Sequence, residues 1–173
     1  MEKLQLIGEH NKGEEMAKHI PEQVELTNMC MIVDEKNNKV LVQKRTKHNW
    51  DGMAFPGGHI EKGESVIRST IREVKEETNL DISDLQCVGF KDWFIDEADK
   101  RYFVFLFKTS TFSGNLLLKC AEGENMWLSI DELKKSNLAS TFDETLDVYL
   151  SNSMQELFYE KDVDGNFVKN IIK

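Results

Sequence analysis

Three carboxylates crowd one short stretch of this chain: Glu73, Glu76 and Glu77. The run from Ser65 to Thr78 carries Ile67, Ile71 and Val74 at helical spacing, which predicts a helix with those three residues on one stripe and Ser65 as its N-cap. At about 100° per residue the glutamates fall in a wedge roughly 100° wide, almost opposite that stripe. Neighbours at i+3 and i+4 lie about 5–6 Å apart at Cβ, and like charges at that spacing repel. The ordinary explanation of an isolated E-x-x-E-E is a solvated acidic helix face. The chemical explanation is a site for a hard cation, because Mg²⁺ takes oxygen ligands and keeps waters, so carboxylates plus substrate phosphates suit it.

Other elements must position that helix. Leu26 to Val33 reads as a buried strand, Asn37-Asn38 as a turn, and Val40 to Gln43 as the partner strand of a hairpin. A basic loop, Lys44 to Asp51, leads into a glycine-rich segment, Gly52 to Gly58, that contains Pro56. Leu85 to Trp93 and Tyr102 to Lys108 read as strands, the second apolar enough for the centre of a sheet. Phe112 to Asn115 reads as a turn, and Leu116 to Leu118 and Met126 to Leu128 as short strands. Helices are expected from near Ser129 and over Phe142 to Leu150, and Asp164-Gly165 signals a hairpin. The interleaving predicts an α/β (α+β) fold, a mixed β-sheet sandwiched between helices. The expected organisation is an N-terminal extension over 1–23 with no assigned role, one domain over 24–160, and a tail over 161–173 folded as a hairpin on it.

At 173 residues the chain is about one domain, long enough to fold without disulfides or a structural metal. Cys30, Cys87 and Cys120 are odd in number and far apart, as buried thiols in a reducing compartment would be. No signal-peptide core or membrane span stands out, so the expected location is cytoplasmic. A net charge of −9 argues against binding a nucleic acid polymer, which calls for a basic face. It also means that a polyphosphate substrate would need a divalent cation between the two anions. The expected partner is a small nucleotide, with no membrane, and the chain is read as a monomer or homodimer.

The spacing around the glutamates is what singles them out. Gly58, Glu64, Arg72-Glu73-Val74, Glu76-Glu77 and Leu80 resemble the Nudix signature G-x5-E-x7-R-E-U-x-E-E-x-G-U, where U is a bulky aliphatic residue. A chance match of this kind in a chain this long is on the order of one in a million. The chain departs from the signature at Asn79, where the family has glycine, and asparagine is the next-best residue for a left-handed helix end. The resemblance implies the Nudix fold with its strand–loop–helix catalytic box. It implies that Glu73, Glu76 and Glu77 are metal ligands, for Mg²⁺ or Mn²⁺. It implies that Arg72 orients Glu73, that Glu64 braces the loop, and that the Gly57 carbonyl is a backbone ligand. Glu122 resembles the additional carboxylate from outside the box, either a ligand or a general base, and a plain loop acid is the competing explanation. Clustered metals would neutralise charge and activate the attacking water, so no serine or cysteine nucleophile is required.

Leu26-Thr27-Asn28, the run from Trp50 through Phe55-Pro56-Gly57-Gly58-His59, and Phe112-Ser113-Gly114 are similar to the MutT/MutX-type branch. By that resemblance the reaction is 8-oxo-dGTP plus water to 8-oxo-dGMP plus pyrophosphate. Asn28 and Asp143 are candidates to read the base edge, and Trp50, Trp93 and Phe142 to stack on it. Gly58 is taken to face the substrate, and Arg45 and Lys47 to meet its phosphates. Three alternatives remain at this level: another nucleoside-diphosphate derivative as substrate, a catalytically silent Nudix-fold ligand sensor, and an acidic interaction domain.

Overall fold

Alternation along the first strand explains the architecture. In β1 (Gln23–Asp34), Met29 and Met31 point to one side and Cys30 and Ile32 to the other, and all four are buried. A strand apolar on both faces must be covered on both. The computed structural model describes residues 21–46, 51–153 and 155–172, so most of the 1–23 extension and the Lys47–Trp50 segment lie outside the described residues.

After β1 come β2 (Lys39–Arg45), β3 (Gly52–Ala54), α1 (Val66–Thr78), β4 (Asp81–Ser83), β5 (Gln86–Ile95), β6 (Lys100–Thr109), β7 (Thr111–Ser113), β8 (Gly123–Leu128), α2 (Ile130–Lys134), α3 (Phe142–Leu150), β9 (Gln155–Lys161) and β10 (Phe167–Ile172). The main sheet runs β10-β9-β5-β6-β1-β2-β3, with β8 also paired to β2, and β4 and β7 form a separate ribbon. It is mixed: β1 runs parallel to β6 and β5 parallel to β9, while the other pairs are antiparallel. On the Met29 face lie Leu133 of α2 and Phe142, Leu146 and Tyr149 of α3. On the Cys30 face lie Val74 of α1 with Leu80 and Ile82. The sheet is therefore sandwiched between helices, as expected.

Local signals act where their chemistry predicts. Asn38 takes a φ of 51° in the β1–β2 turn, and Asp34 accepts hydrogen bonds from both the backbone and side chain of Asn37. Ser129 and Glu132 form a reciprocal capping box at the start of α2. Asn79 ends α1 in the left-handed region, at φ 59° and ψ 10°, so the missing signature glycine costs little here.

Four expectations need correction. Ser65 stands at the N-cap of α1, but its side chain makes no capping bond. The buried face of α1 consists of Ser69, Thr70, Val74, Glu77 and Thr78, whereas Ile67 is 42% exposed. The helix is rolled because Ser69 and Glu77 bond into the preceding glycine loop, and that turns Ile67 outward. Leu116–Leu118 is not a strand. Leu117 N–H donates to the Thr78 carbonyl, and Asn125 bonds the carbonyls of Leu117 and Leu118. Phe112-Ser113, expected in a turn, lies in β7, and the chain bends at Gly114 with φ 105°. All three cysteines are free, and burial pushes the Cys30 thiol up to about 12. Among the described residues no helix is long and apolar enough to cross a membrane.

Candidate active site

The loop between β3 and α1 lies along β1 like an irregular extra strand. Asn28 N–H donates to the Gly58 carbonyl at 2.9 Å, Cys30 N–H to Pro56 at 2.9 Å, and Ile60 N–H to Leu26 at 3.0 Å. The two glycines are needed for different reasons. A Cβ on Gly57 would stand 2.2 Å from the Asn28 carbonyl oxygen, a backbone clash. A Cβ on Gly58 would stand 2.5 Å from the Glu73 carboxyl, so here glycine leaves room for a side chain.

Arg72 is the hub beneath this loop. Its Nε and a terminal nitrogen grip Glu64 at 3.0 and 2.9 Å, a bidentate pair. It also donates to Glu73 at 2.8 Å and to Glu76 at 3.3 Å. The Arg72 guanidinium pulls the Glu64 carboxyl down to about 2. Glu64 also accepts from the Glu61 N–H at 3.1 Å, so it braces the loop and ties it to α1.

Glu77 differs from its neighbours. It is 8% exposed, and its Oε2 accepts from the Gly57 N–H at 3.0 Å. Burial raises its carboxyl to about 7, against the opposing pull of that N–H and of Arg45, while Glu122 and Glu73 push the same way as burial. Glu122 arrives from the turn before β8 and accepts from Arg45 at 2.7 Å. As they stand, no three His, Cys, Asp or Glu side chains among the described residues form a ready metal cage. The donor chemistry nevertheless fits a hard cation. A buried carboxyl with a raised proton affinity lies beside two further carboxylates, and a glycine cradle leaves them room.

One cavity of about 830 Å³ joins these groups to a second set of residues. Asn28, Arg45, Gly57, Gly58, Glu73, Glu77 and Glu122 all line it. Asn28 is buried and donates from Nδ2 to Ser69 Oγ at 3.1 Å, which leaves its buried Oδ1 with no hydrogen-bond partner among the described residues. Ser69 Oγ in turn donates to the His59 carbonyl. At the other end are Lys91, Trp93, Tyr102, Glu144 and Tyr159. Trp93 stacks on Tyr102 with ring centroids 4.6 Å apart.

Not every expected residue reaches this cavity. Glu76 has a 58% exposed side chain and does not line it; one helical position from Glu77, it faces solvent. Asp143 is exposed at the start of α3, and Glu144, the next residue, lines the wall instead. Phe142 is a core residue, edge-on to Phe55 at 5.0 Å. Trp50 and Lys47 lie outside the described residues. Sequence reasoning missed Lys91, Glu144 and Tyr159. The signal for Lys91 was available: it stands two residues before Trp93 on β5, so the two side chains share a face.

Residues 25–149 match the family model described as the NUDIX domain. The chain belongs to the Nudix family. This Nudix chain is 29% identical over 117 residues to an uncharacterized Nudix hydrolase, YvcI, from Bacillus subtilis, covering 66% of this chain and 71% of the relative. It is 28% identical over 117 residues to a protein named 8-oxo-dGTP diphosphatase from Buchnera aphidicola, covering 66% and 85%. Its fold superposes on the crystal structure of a MutT protein from Bacillus halodurans with a TM-score of 0.71 at 23% identity, over 85% of this chain and 97% of that one. The Nudix box is the strand–loop–helix unit described above, and the chain is accordingly a hydrolase of pyrophosphate bonds.

Proposed function

We propose that this Nudix hydrolase is a metal-dependent pyrophosphohydrolase of nucleoside triphosphates, cleaving 8-oxo-dGTP to 8-oxo-dGMP and pyrophosphate. The observation that carries the reading is that one cavity joins an acidic end to an aromatic, polar end. Arg45 is on β2 and Lys91 on β5, with β1 and β6 between them. Three strand spacings are roughly 14 Å, about the reach of a nucleotide from its phosphates to its base. A volume of about 830 Å³ falls in the range of small-molecule sites. The relative named 8-oxo-dGTP diphosphatase supports the choice of base.

In this reading Glu73, Glu77 and Glu122, with the Gly57 carbonyl, hold Mg²⁺ or Mn²⁺. Glu76 stands outside the cavity and serves from the second row through Arg72. The bound ion would supply charge neutralisation for the polyphosphate and polarise the attacking water. The chain's own residues do the rest. Arg72 holds Glu64 and Glu73 in one geometry, Arg45 sets Glu122, and the Gly57 N–H fixes Glu77. Asn28 offers its unpaired Oδ1 to a donor on the substrate.

The test is to incubate the protein with Mg²⁺ and equal amounts of 8-oxo-dGTP, dGTP and ADP-ribose, and to identify products by ion-pair chromatography. The expected result is fastest loss of 8-oxo-dGTP, yielding monophosphate and pyrophosphate. Faster turnover of ADP-ribose than of either triphosphate would replace the sanitising reading with another Nudix substrate.

A further inference from the structure

Lys91 is a buried cation at the end of the cavity away from the acidic helix. It is 8% exposed, and its ammonium donates to Thr141 Oγ1 at 2.5 Å and Thr145 Oγ1 at 3.3 Å. It also lies 5.5 Å from the Trp93 ring centroid and 5.3 Å from that of Tyr159. An ammonium has three donors and no acceptor, so two hydrogen bonds leave one N–H with no hydrogen-bond acceptor among the described residues. A buried donor left unpaired is costly, and one on a charged group more so. Burial draws this ammonium down to about 8, with Glu144 and Asp143 acting the other way, so it stays mostly protonated at neutral pH.

Two further groups beside it are also incomplete. Glu144 Oε2 and the Tyr159 hydroxyl are buried and make no well-aligned hydrogen bond among the described residues, although the hydroxyl lies close to Glu144 and Thr141. The wall therefore offers one donor from Lys91, one acceptor from Glu144, and a hydroxyl that can do either. A ligand that satisfies it presents an acceptor next to a donor on a flat edge, between aromatic rings.

We propose that Lys91 is the residue that sets base specificity: its remaining N–H donates to the exocyclic carbonyl of a 6-oxopurine while Glu144 accepts from the adjacent ring N–H. A 6-aminopurine puts a donor where Lys91 needs an acceptor, and its ring N1 is an acceptor facing the carboxylate of Glu144. This rests on the nucleotide reading of the cavity but assigns the discrimination to a residue outside the Nudix box. A site built to complete buried polar groups rejects the analogue that cannot do so.

The test separates the two readings by measuring binding apart from turnover. Wild type and Lys91→Met are titrated calorimetrically with dGMP, dIMP and dAMP, with circular dichroism and thermal melting confirming the fold of the variant. Methionine keeps an unbranched stem and removes the donors. Wild type is expected to bind dGMP and dIMP about ten- to hundredfold more tightly than dAMP, as a hydrogen bond to a charged group implies. In Lys91→Met the preference is expected to collapse to within about threefold. The dIMP arm asks the question on the unmodified protein, because it keeps the carbonyl and N1–H and lacks only the 2-amino group. Equal binding of dIMP and dAMP to wild type, or an undiminished preference in the variant, overturns the proposal. A preference that depends on Lys91 without triphosphate hydrolysis would uphold Lys91 and sink the enzymatic reading; hydrolysis without base preference would do the reverse.

Discussion

The two ends of the cavity are built by opposite means. At the acidic end most of the working groups are local: Gly57, Gly58 and Glu64 come from the loop between β3 and α1 and Arg72, Glu73 and Glu77 from α1, while Glu122 and its partner Arg45 reach in from the turn before β8 and from β2. At the base end Lys91 comes from β5, Thr141 and Glu144 from the start of α3, and Tyr159 from β9. Those residues meet only because β5 pairs with β9 and α3 packs over both. The acidic end is held mainly by short-range geometry, with one long-range tie through Arg45 and Glu122. The other end is held by long-range packing, so a substitution there is expected to leave the box in place.

That contrast yields predictions of decreasing size. The largest effect belongs to the acidic end. Removing one carboxylate from a metal site forfeits several kcal/mol of charge stabilisation, so Glu77→Gln is expected to lower kcat/KM by about two to three orders of magnitude. Glu76→Gln, outside the cavity, should lose distinctly less in the same steady-state assay. Equal losses would show that exposure does not separate the two residues.

Gly58→Ala comes next. Its Cβ meets the end of a flexible side chain, so the melting temperature should change little while Glu73 is displaced. A misplacement near 1 Å can cost about a hundredfold in rate. Gly57→Ala instead meets backbone at 2.2 Å and should lower the melting temperature outright. Melting curves beside activity for the two variants check this split.

Arg72→Lys should retain charge and lose the bidentate grip on Glu64. Metal affinity and activity are expected to fall about ten- to hundredfold, as when the partners of metal ligands are removed. Metal titration of the variant measures it.

A further prediction, of a different kind, is at the Lys91 end and is one of stability. The Lys91 ammonium lies at about 8 in the folded protein, below its ordinary 10.5. Between those values the unfolded chain holds more protons than the folded one, so this residue makes stability rise with pH across that window. The rise is at most about 3 kcal/mol from this group. Denaturant unfolding at pH 7.5 and 10 should show it as a difference between wild type and Lys91→Met. Parallel pH dependence in the two proteins would contradict it.

How much was legible in the sequence follows from the same contrast. The long strands, the order of helices and the acidic box could be read because their signals are local: alternation, helical period, fixed spacing; the short β4–β7 ribbon could not. The roll of α1 could not, because it depends on bonds from Ser69 and Glu77 to a loop whose path the pattern does not reveal. Asp143 and Glu144 cannot be told apart in the sequence for the same reason: two adjacent acids at a helix start differ only in which way the helix faces. Lys91 is hidden in the sequence because a lysine in a strand usually marks a solvated edge. Here β5 is an interior strand between β6 and β9.

The most direct test of the account is Mn²⁺ binding, followed by electron paramagnetic resonance, on wild type and Glu77→Gln. Wild type is expected to bind Mn²⁺ saturably, more tightly with an unhydrolysable nucleotide, and Glu77→Gln to lose that binding or weaken it markedly. Equal Mn²⁺ binding by both proteins, or none by wild type even with nucleotide present, would contradict the claim that the buried end of this acidic helix is a metal centre.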